Sequence, residues 1–296
     1  MFRPVFIGGA GRSGTTLVAD LLGTHEQLSP IYETNFVLGL AREMAASRPV
    51  AQTAAAIRHL MDRWTEPLPH RPHHKRPHEL YLHGPHYILF DRNFALAATE
   101  TLIAELPGDP IAGLRRFVNS LFARHAACDR KPYWVNKTPT YVAALPLLKE
   151  IWPELLFIHC VRDGRDVAAS VLTRPWGPNT WSEAGKWWRD QVQPGIEFAA
   201  RYPEQLMVLR YEDVLAAPTE AFEGILRALE LSGASKMVES YLNAGGALDP
   251  TRAGAWRAER SDDIEAFEAA GGPMLRTLGY APAFAHESSG PHGRQT

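Results

Sequence analysis

Arginine and hydroxyl side chains share a glycine-rich stretch near the start of the chain, and together they could bind an anion. Residues 8–16 read Gly-Gly-Ala-Gly-Arg-Ser-Gly-Thr-Thr, between a short apolar run and a helical pattern. The backbone N–H groups of such a turn point inward where a helix N-terminus adds partial positive charge. Arg12 adds a full charge, and Ser13, Thr15 and Thr16 add hydroxyl donors. The stretch predicts a site for a multiply charged oxyanion; the alternative is a plain strand-to-helix turn.

The stretch departs from an ATP-binding Walker A loop at one decisive position. A Walker A loop reads G-x-x-x-x-G-K-[ST]. Counted from Gly9, Gly14 fits this pattern, but Thr15 stands where the lysine belongs, and the positive charge has moved to Arg12. A P-loop kinase that uses Mg-ATP is an alternative because the rest of the loop fits. The missing lysine and the absence of an evident acidic metal site in the sequence count against it.

The same loop resembles the 5′-phosphosulfate loop of sulfotransferases that use 3′-phosphoadenosine 5′-phosphosulfate (PAPS), in particular the branch that includes protein-tyrosine sulfotransferases. The resemblance implies a P-loop NTPase-like sulfotransferase fold and PAPS as the sulfuryl donor. It also implies a set of donor-binding residues in the loop. They are Gly11, Arg12, Ser13, Gly14, Thr15 and Thr16.

Glu33 is the candidate catalytic base. In the resembled branch, a glutamate at about this distance after the loop, followed by threonine as Thr34 follows here, removes the acceptor proton. A base of this kind must come within ~3 Å of the hydroxyl it deprotonates. The alternatives are a surface carboxylate or a favourable charge at the start of a helix predicted over residues 35–46.

Lys137 is predicted to lie at the carboxyl end of a strand. The apolar run 133–135 leads into Asn136-Lys137-Thr138-Pro139, and open α/β sheets bind ligands at this edge. Thr138 is expected to cap a helix that begins at Pro139. The segment resembles the one whose lysine contacts the transferring sulfuryl group and the leaving oxygen, so Glu33, Lys137 and Arg12 form the candidate catalytic set. An ordinary surface lysine is the alternative.

A second cluster of basic residues follows the apolar strand predicted over residues 155–161. Arg162 comes directly after it, and Asp163 is a suitable N-cap for the next helix. Ser170 and Arg174 would share a helix face if that helix continues to residue 174. The strand, Arg162, the Asp-Gly-Arg that follows it and Ser170 together resemble the 3′-phosphate-binding segment of the sulfotransferases. The resemblance implies that Arg162, Ser170 and Arg174 bind the donor.

Two later segments extend the resemblance. Tyr211 follows a strand predicted over residues 205–209, and the family places such a tyrosine against the nucleotide. Residues 251–257 resemble, more loosely, the loop that closes over the adenosine 3′-phosphate. Its candidate residues are Arg252, Gly254 and Trp256.

Alternating strand and helix patterns predict how these residues are positioned. Such alternation is typical of an α/β fold with a parallel sheet flanked by helices. We expect one sulfotransferase domain over residues 1–284 and a flexible tail over 285–296. Residues 64–92 are rich in proline and histidine and predict an insertion, either a lid over the acceptor or a solvated loop. The histidine spacing matches no ordinary zinc pattern, so we predict no metal.

Composition limits the remaining classes. The chain has 296 residues, a formal net charge of −2, 45% hydrophobic and 22% charged residues, which is ordinary for a soluble globular protein. The charge argues against a nucleic-acid partner, and no apolar run reaches the ~20 residues that cross a bilayer. We expect neither a membrane anchor nor a signal peptide. Two cysteines, Cys128 and Cys160, make a disulfide scaffold unexpected and favour a cytoplasmic protein.

The sequence therefore predicts an enzyme that transfers a sulfuryl group from PAPS to a hydroxyl of an acceptor. The acceptor could be a phenol, a sugar or another small molecule, because the fold does not fix the substrate. Besides the kinase, a nucleotide-binding module without catalysis is the second alternative.

Overall fold

The structure is a computed structural model that describes residues 3–65 and 91–284. Most of the predicted proline- and histidine-rich insertion and the whole predicted tail lie outside these residues. The chain divides into two compact units. The first comprises Met1–Arg162 and Gln191–Ala253, and the second comprises Asp163–Asp190 and Gly254–Thr296. The expectation of a single domain stays a prediction.

The first unit contains a parallel sheet, which is five-stranded within the described residues and has the order β2-β3-β1-β4-β5. Its strands are β1 (Val5–Gly8), β2 (Leu28–Tyr32), β3 (Tyr133–Lys137), β4 (Leu156–Val161) and β5 (Leu206–Arg210). Every pairing between neighbours is parallel. The predicted α/β class with a parallel sheet is thus confirmed. Because the strands run parallel, the residues that follow them gather at one edge.

The centre of the sheet is apolar on both faces, as parallel sheets covered by helices usually are. Val5, Phe6 and Ile7 of β1 have no solvent exposure. The ring of Phe6 packs against Trp134, with 5.6 Å between centroids, and against Trp152, with 4.8 Å. This aromatic packing fixes the strands whose ends carry the candidate site.

The sequence predicts only a short extended segment at residues 30–33, and β2 occupies Leu28–Tyr32 instead. The structure makes it a full strand in register with β3 and places it at the end of the strand order. An edge strand tolerates proline, since one side of its backbone needs no sheet partner. Glu33 is therefore held by the sheet rather than by a loop.

Helices cover the sheet in the first unit. They are α1 (Thr15–Gly23), α2 (Phe36–Ala45), α3 (Val50–Thr65), α4 (Arg92–Glu105), α5 (Pro110–Cys128) and α6 (Leu145–Ile151). The sequence predicts a helical region over residues 94–127 that is interrupted from Pro107 to Pro110, and the break between α4 and α5 falls there. Asp109 caps α5 by accepting from the Ala112 N–H. Within residues 3–65 and 91–284, no helix has the length and apolar character needed to cross a membrane.

The second unit is built around α7 (Gly164–Val171), the start of α8 (Trp181–Arg201) and α12 (Ser261–Thr277). Asp163 caps α7 as predicted, because its carboxylate accepts from the Arg165 N–H at 2.9 Å. The helix ends at Val171. The condition that it continue to residue 174 is not met, so Ser170 and Arg174 do not share a helical turn. The chain turns after the helix, and the Gly177 N–H donates to the Arg174 carbonyl at 3.0 Å.

The chain re-enters the first unit at Gln191, within α8, and forms three further helices after β5. These are α9 (Tyr211–Ala216), α10 (Pro218–Ala228) and α11 (Ala234–Asn243). Two short 3₁₀ turns, Pro250–Arg252 and Ala255–Ala258, occupy the late loop.

Candidate functional site

The candidate residues of the first unit follow one another along the carboxyl edge of the sheet. Glu33 comes after β2, and Lys137 ends β3 opposite both Tyr32 and Ile7. The glycine loop follows β1, the central strand. Glu33 and Lys137 lie on one side of it, and Arg162 and Tyr211, which follow β4 and β5, lie on the other side. Strand order thus places the candidate base beside the lysine, the lysine beside the anion loop, and the loop beside the second arginine.

The glycine loop has the geometry of an anion cradle. Gly14 precedes α1 with a left-handed φ of 85°, and a Cβ there would lie 2.4 Å from a ring carbon of Tyr211. Arg12 is also left-handed, with φ 72°. The first N–H groups of α1 have no acceptor within the helix. The buried Ser13 hydroxyl has no hydrogen-bond partner among residues 3–65 and 91–284. This donor set fits a phosphate-like or sulfuryl group.

A cavity of about 700 Å³ opens in front of this loop within the first unit. Its walls include Gly14, Thr15, Thr16, Arg12, Arg162, Tyr211 and Arg252 from the predicted set. Arg162 ties the walls together, because it donates to the Arg12 carbonyl at 3.3 Å and to the Arg252 carbonyl at 2.6 Å. Its guanidinium also lies 4.6 Å from the Tyr211 ring centroid. Arg12 and Arg162, which are 150 positions apart in the sequence, therefore line the same cavity.

The candidate base and the candidate lysine form a buried ion pair. The Lys137 ammonium contacts the Glu33 carboxylate, and the two side chains are 2% and 15% exposed. The ammonium also lies 5.3 Å from the centroid of the Tyr32 ring. The Tyr32 hydroxyl donates to Asp20 at 2.6 Å, and both residues line the cavity. The pair thus adjoins the wall of the cavity that holds the arginines.

Thr138 differs from its expected role. Pro139 does begin a helix, a 3₁₀ turn over Pro139–Ala144, but the Thr138 side chain makes no capping bond. Its hydroxyl accepts instead from the backbone N–H of Thr34 at 2.9 Å. The hydroxyl therefore links β3 to the chain segment that carries Glu33.

The remaining predicted residues belong to the second unit. Ser170 is half-buried on α7, and Arg174 is exposed beyond the end of that helix. The N–H groups of Gly254 and Trp256 donate to the Asp166 carboxylate at 2.8 and 2.9 Å. Asp166 was not predicted, although it lies only four residues after Arg162. Its two bonds fix the backbone of the late loop.

Several cavity residues carried no signal in the sequence. They are Asp20, Tyr32, Tyr241, Gly245, Gly246 and Asp249. None belongs to a recognisable motif, and only the tertiary fold brings the segment after α11 to α1. Neither cysteine forms a disulfide, and burial raises the pKa of the Cys160 thiol above its ordinary range, which keeps that thiol protonated.

No group of three His, Cys, Asp or Glu side chains could hold a metal ion in the described part of the chain. The metal-free chemistry inferred from the sequence stays a prediction.

Known proteins resemble this chain in sequence and fold. A Caenorhabditis elegans protein named "Protein-tyrosine sulfotransferase A" is 22% identical over 300 residues, covering 94% of this chain and 67% of that protein. A Caenorhabditis briggsae protein named "Putative protein-tyrosine sulfotransferase" is 25% identical over 138 residues, covering 45% of this chain and 49% of that protein. The match thus spans about half the length of the C. briggsae relative.

A solved sulfotransferase domain from the curacin biosynthetic pathway superposes with a TM-score of 0.58 at 15% identity, covering 95% of this chain and 99% of that one. At this identity the likeness concerns the fold. A profile of the Sulfotransferase family matches residues 4–235. The glycine loop, Glu33, Lys137, Arg162 and Tyr211 all lie inside the matched residues, and the chain belongs to the Sulfotransferase family.

Proposed function

We propose that this protein is a PAPS-dependent O-sulfotransferase that acts on an acceptor hydroxyl. One observation carries the proposal: the order of Glu33, Lys137, the Arg12 loop and Arg162 along a single sheet edge. Along the edge lie a base, a cation, an anion cradle and a second cationic group, in that order. An acceptor would meet the base, the sulfuryl group would meet the cation and the cradle, and the nucleotide would extend to the second cationic group. Family membership supports the reaction class.

The donor end of the site is the cavity. When bound, PAPS supplies a sulfuryl group whose bond to the 5′-phosphate oxygen breaks as the acceptor oxygen bonds to sulfur. The loop amides, Ser13 and Arg12 would hold the 5′ anionic groups, since fixed donors and charges stabilise developing negative charge without reorganising. Arg162 and Arg252 would face the 3′-phosphate, and Tyr211 would contact the nucleoside.

The acceptor end is the Glu33–Lys137 pair. Glu33 would take the hydroxyl proton, a step that requires hydrogen-bond distance and contributes about 10²- to 10⁴-fold in typical enzymes. Lys137 would stabilise the charge that builds on the sulfuryl and leaving oxygens. Its contact with Glu33 and its register opposite Ile7, one residue before the end of β1, support this role.

A phenol is the acceptor class we favour. The support is that the two nematode relatives carry protein-tyrosine sulfotransferase names. Sugars and other small hydroxyl compounds are the competing acceptor classes.

We also propose that the reaction takes place in the cytoplasm.

The test is transfer of radiolabelled sulfuryl from PAPS to a panel of peptide tyrosines, simple phenols and sugars. The proposal predicts label in at least one acceptor, with stoichiometric release of adenosine 3′,5′-bisphosphate. Protein that binds the bisphosphate but labels nothing would favour the non-catalytic module, and phosphate transfer from Mg-ATP would favour the kinase.

A further inference from the structure

Four polar side chains form a closed hydrogen-bond network directly behind the Glu33–Lys137 pair. Thr34, Asn136, Thr138 and Tyr141 have no solvent exposure. The Tyr141 hydroxyl donates to the Thr34 carbonyl at 2.6 Å and lies 2.9 Å from the Thr34 hydroxyl. The Asn136 amide donates to the same hydroxyl at 2.8 Å. Thr138 accepts from the Thr34 N–H and donates to Asn136. Buried polar groups are costly unless satisfied, and every one of these has a partner.

The network encloses the residue next to Glu33. Thr34 is held at its N–H, its carbonyl and its hydroxyl. Glu33 itself has a left-handed φ of 54°, and its N–H donates to the Lys137 carbonyl at 2.7 Å. A residue with a Cβ pays about 1–2 kcal/mol for this conformation, so surrounding structure must impose it.

We propose that the Tyr141 hydroxyl and the Thr138 hydroxyl are positioning groups that hold Glu33 in its left-handed conformation against Lys137. This inference rests on the proposed function for its catalytic consequence. Neither hydroxyl touches the reacting atoms, because both are buried behind the segment that carries Glu33. Burial raises the pKa of Tyr141 above its ordinary range, so the hydroxyl keeps the proton that it donates to Thr34.

Two variants each remove one hydroxyl of the network. Tyr141→Phe loses the bond to the Thr34 carbonyl and the contact with the Thr34 hydroxyl, and Thr138→Val loses the bonds to the Thr34 N–H and to Asn136. Thr99→Val is the matched control, since Thr99 is also buried, at 1% exposure, and its hydroxyl donates to the Ala95 carbonyl within α4. With a graded series of substituted phenols and PAPS, we expect kcat to fall roughly 10- to 100-fold in both network variants, as for a misplaced catalytic group. The KM for PAPS should change less than about threefold, and the loss should grow as the phenol becomes less acidic.

If the two hydroxyls only stabilise the fold, the variants would contain a smaller fraction of active protein, but the dependence of kcat on phenol acidity would not change. An unchanged dependence in Tyr141→Phe and Thr138→Val, or an equal change in Thr99→Val, would overturn the proposal. Crystal structures of the variants provide a readout that needs no acceptor: Glu33 should leave the left-handed region in the network variants and keep it in the control. A retained Glu33 φ contradicts the positioning role even if wild-type protein transfers sulfuryl, whereas an inactive wild type with a relaxed Glu33 in the variants contradicts only the proposed function.

Discussion

The contact between Glu33 and Lys137 brings a carboxylate and an ammonium together at the carboxyl edge of the sheet. Both were selected from short motifs, and the structure brings the two side chains into contact although 104 positions separate them. The motif could not reveal that Thr138 accepts from Thr34, since that bond depends on the pairing of β2 with β3. Similarly, nothing near Asp20 or Tyr32 in the sequence marks them as cavity residues.

Glu33→Gln should abolish most turnover while sparing donor binding. The amide keeps the size of the carboxylate but accepts no proton, so we expect kcat to fall at least about 100-fold. Adenosine 3′,5′-bisphosphate should bind within about threefold of wild type by calorimetry. A variant that keeps wild-type kcat would assign Glu33 to ion pairing with Lys137 alone.

At the scale of elements, the glycine loop depends on the turn into α1. Gly14→Ala and Gly233→Ala make the same change at helix N-caps with φ 85° and 101°, but only the Gly14 Cβ meets a neighbour, the Tyr211 ring at 2.4 Å. A Cβ added at Gly233 would meet no atom within 4 Å in the described part of the chain, apart from its own neighbours along the backbone. The control therefore isolates the cost of the left-handed backbone.

We expect both variants to lose about 1 kcal/mol of unfolding free energy from the backbone alone. Only Gly14→Ala should also weaken bisphosphate binding, by tenfold or more, because Tyr211 and the loop must move apart. Equal affinities in the two variants would show that the close approach of loop and Tyr211 is unimportant for binding. Chemical denaturation and calorimetry measure the two quantities.

Element boundaries show where sequence patterns fail. The buried strands and the break between α4 and α5 were predictable from apolar runs and prolines. The end of α7 at Val171 was not, because Leu172, Thr173 and Arg174 carry no strong helix-stopping signal before Pro175. β2 was underestimated because the effect of Pro30 depends on whether its strand lies at an edge, which is a property of the whole sheet.

For the whole molecule, sequence alternation predicted the sheet class but not the strand order or the two compact units. Those depend on which strands neighbour β1 and on how distant segments pack. The order β2-β3-β1-β4-β5 is what converts separate motifs into one site.

His159 gives the folded molecule a predicted dependence on acid. Its ring has no exposure, neither nitrogen has a partner in the described part of the chain, and burial lowers the pKa of His159 to about 4. The unfolded chain binds this proton at an ordinary pKa near 6.5, so stability should fall as pH decreases from 6.5 to 4. The full loss from this group is about 3 kcal/mol.

His159→Phe should remove the loss of unfolding free energy that His159 causes between pH 6.5 and 4. His59→Gln, on the exposed face of α3, should leave that loss as it is in the wild type. Urea denaturation between pH 4 and 7 measures it. An identical slope for wild type and His159→Phe would mean that other groups cause the acid sensitivity.

We propose that Arg12 and Arg162 bind the two anionic groups of one nucleotide in a single cavity. Calorimetric titration with adenosine 3′,5′-bisphosphate and with Mg-ATP tests it most directly. We predict one bisphosphate per chain, bound at least tenfold more tightly than ATP, and a further tenfold or greater loss in both Arg12→Ala and Arg162→Ala, as expected for charged hydrogen bonds. Absent bisphosphate binding, tighter binding of Mg-ATP, or unchanged affinity in the two arginine variants would contradict the account.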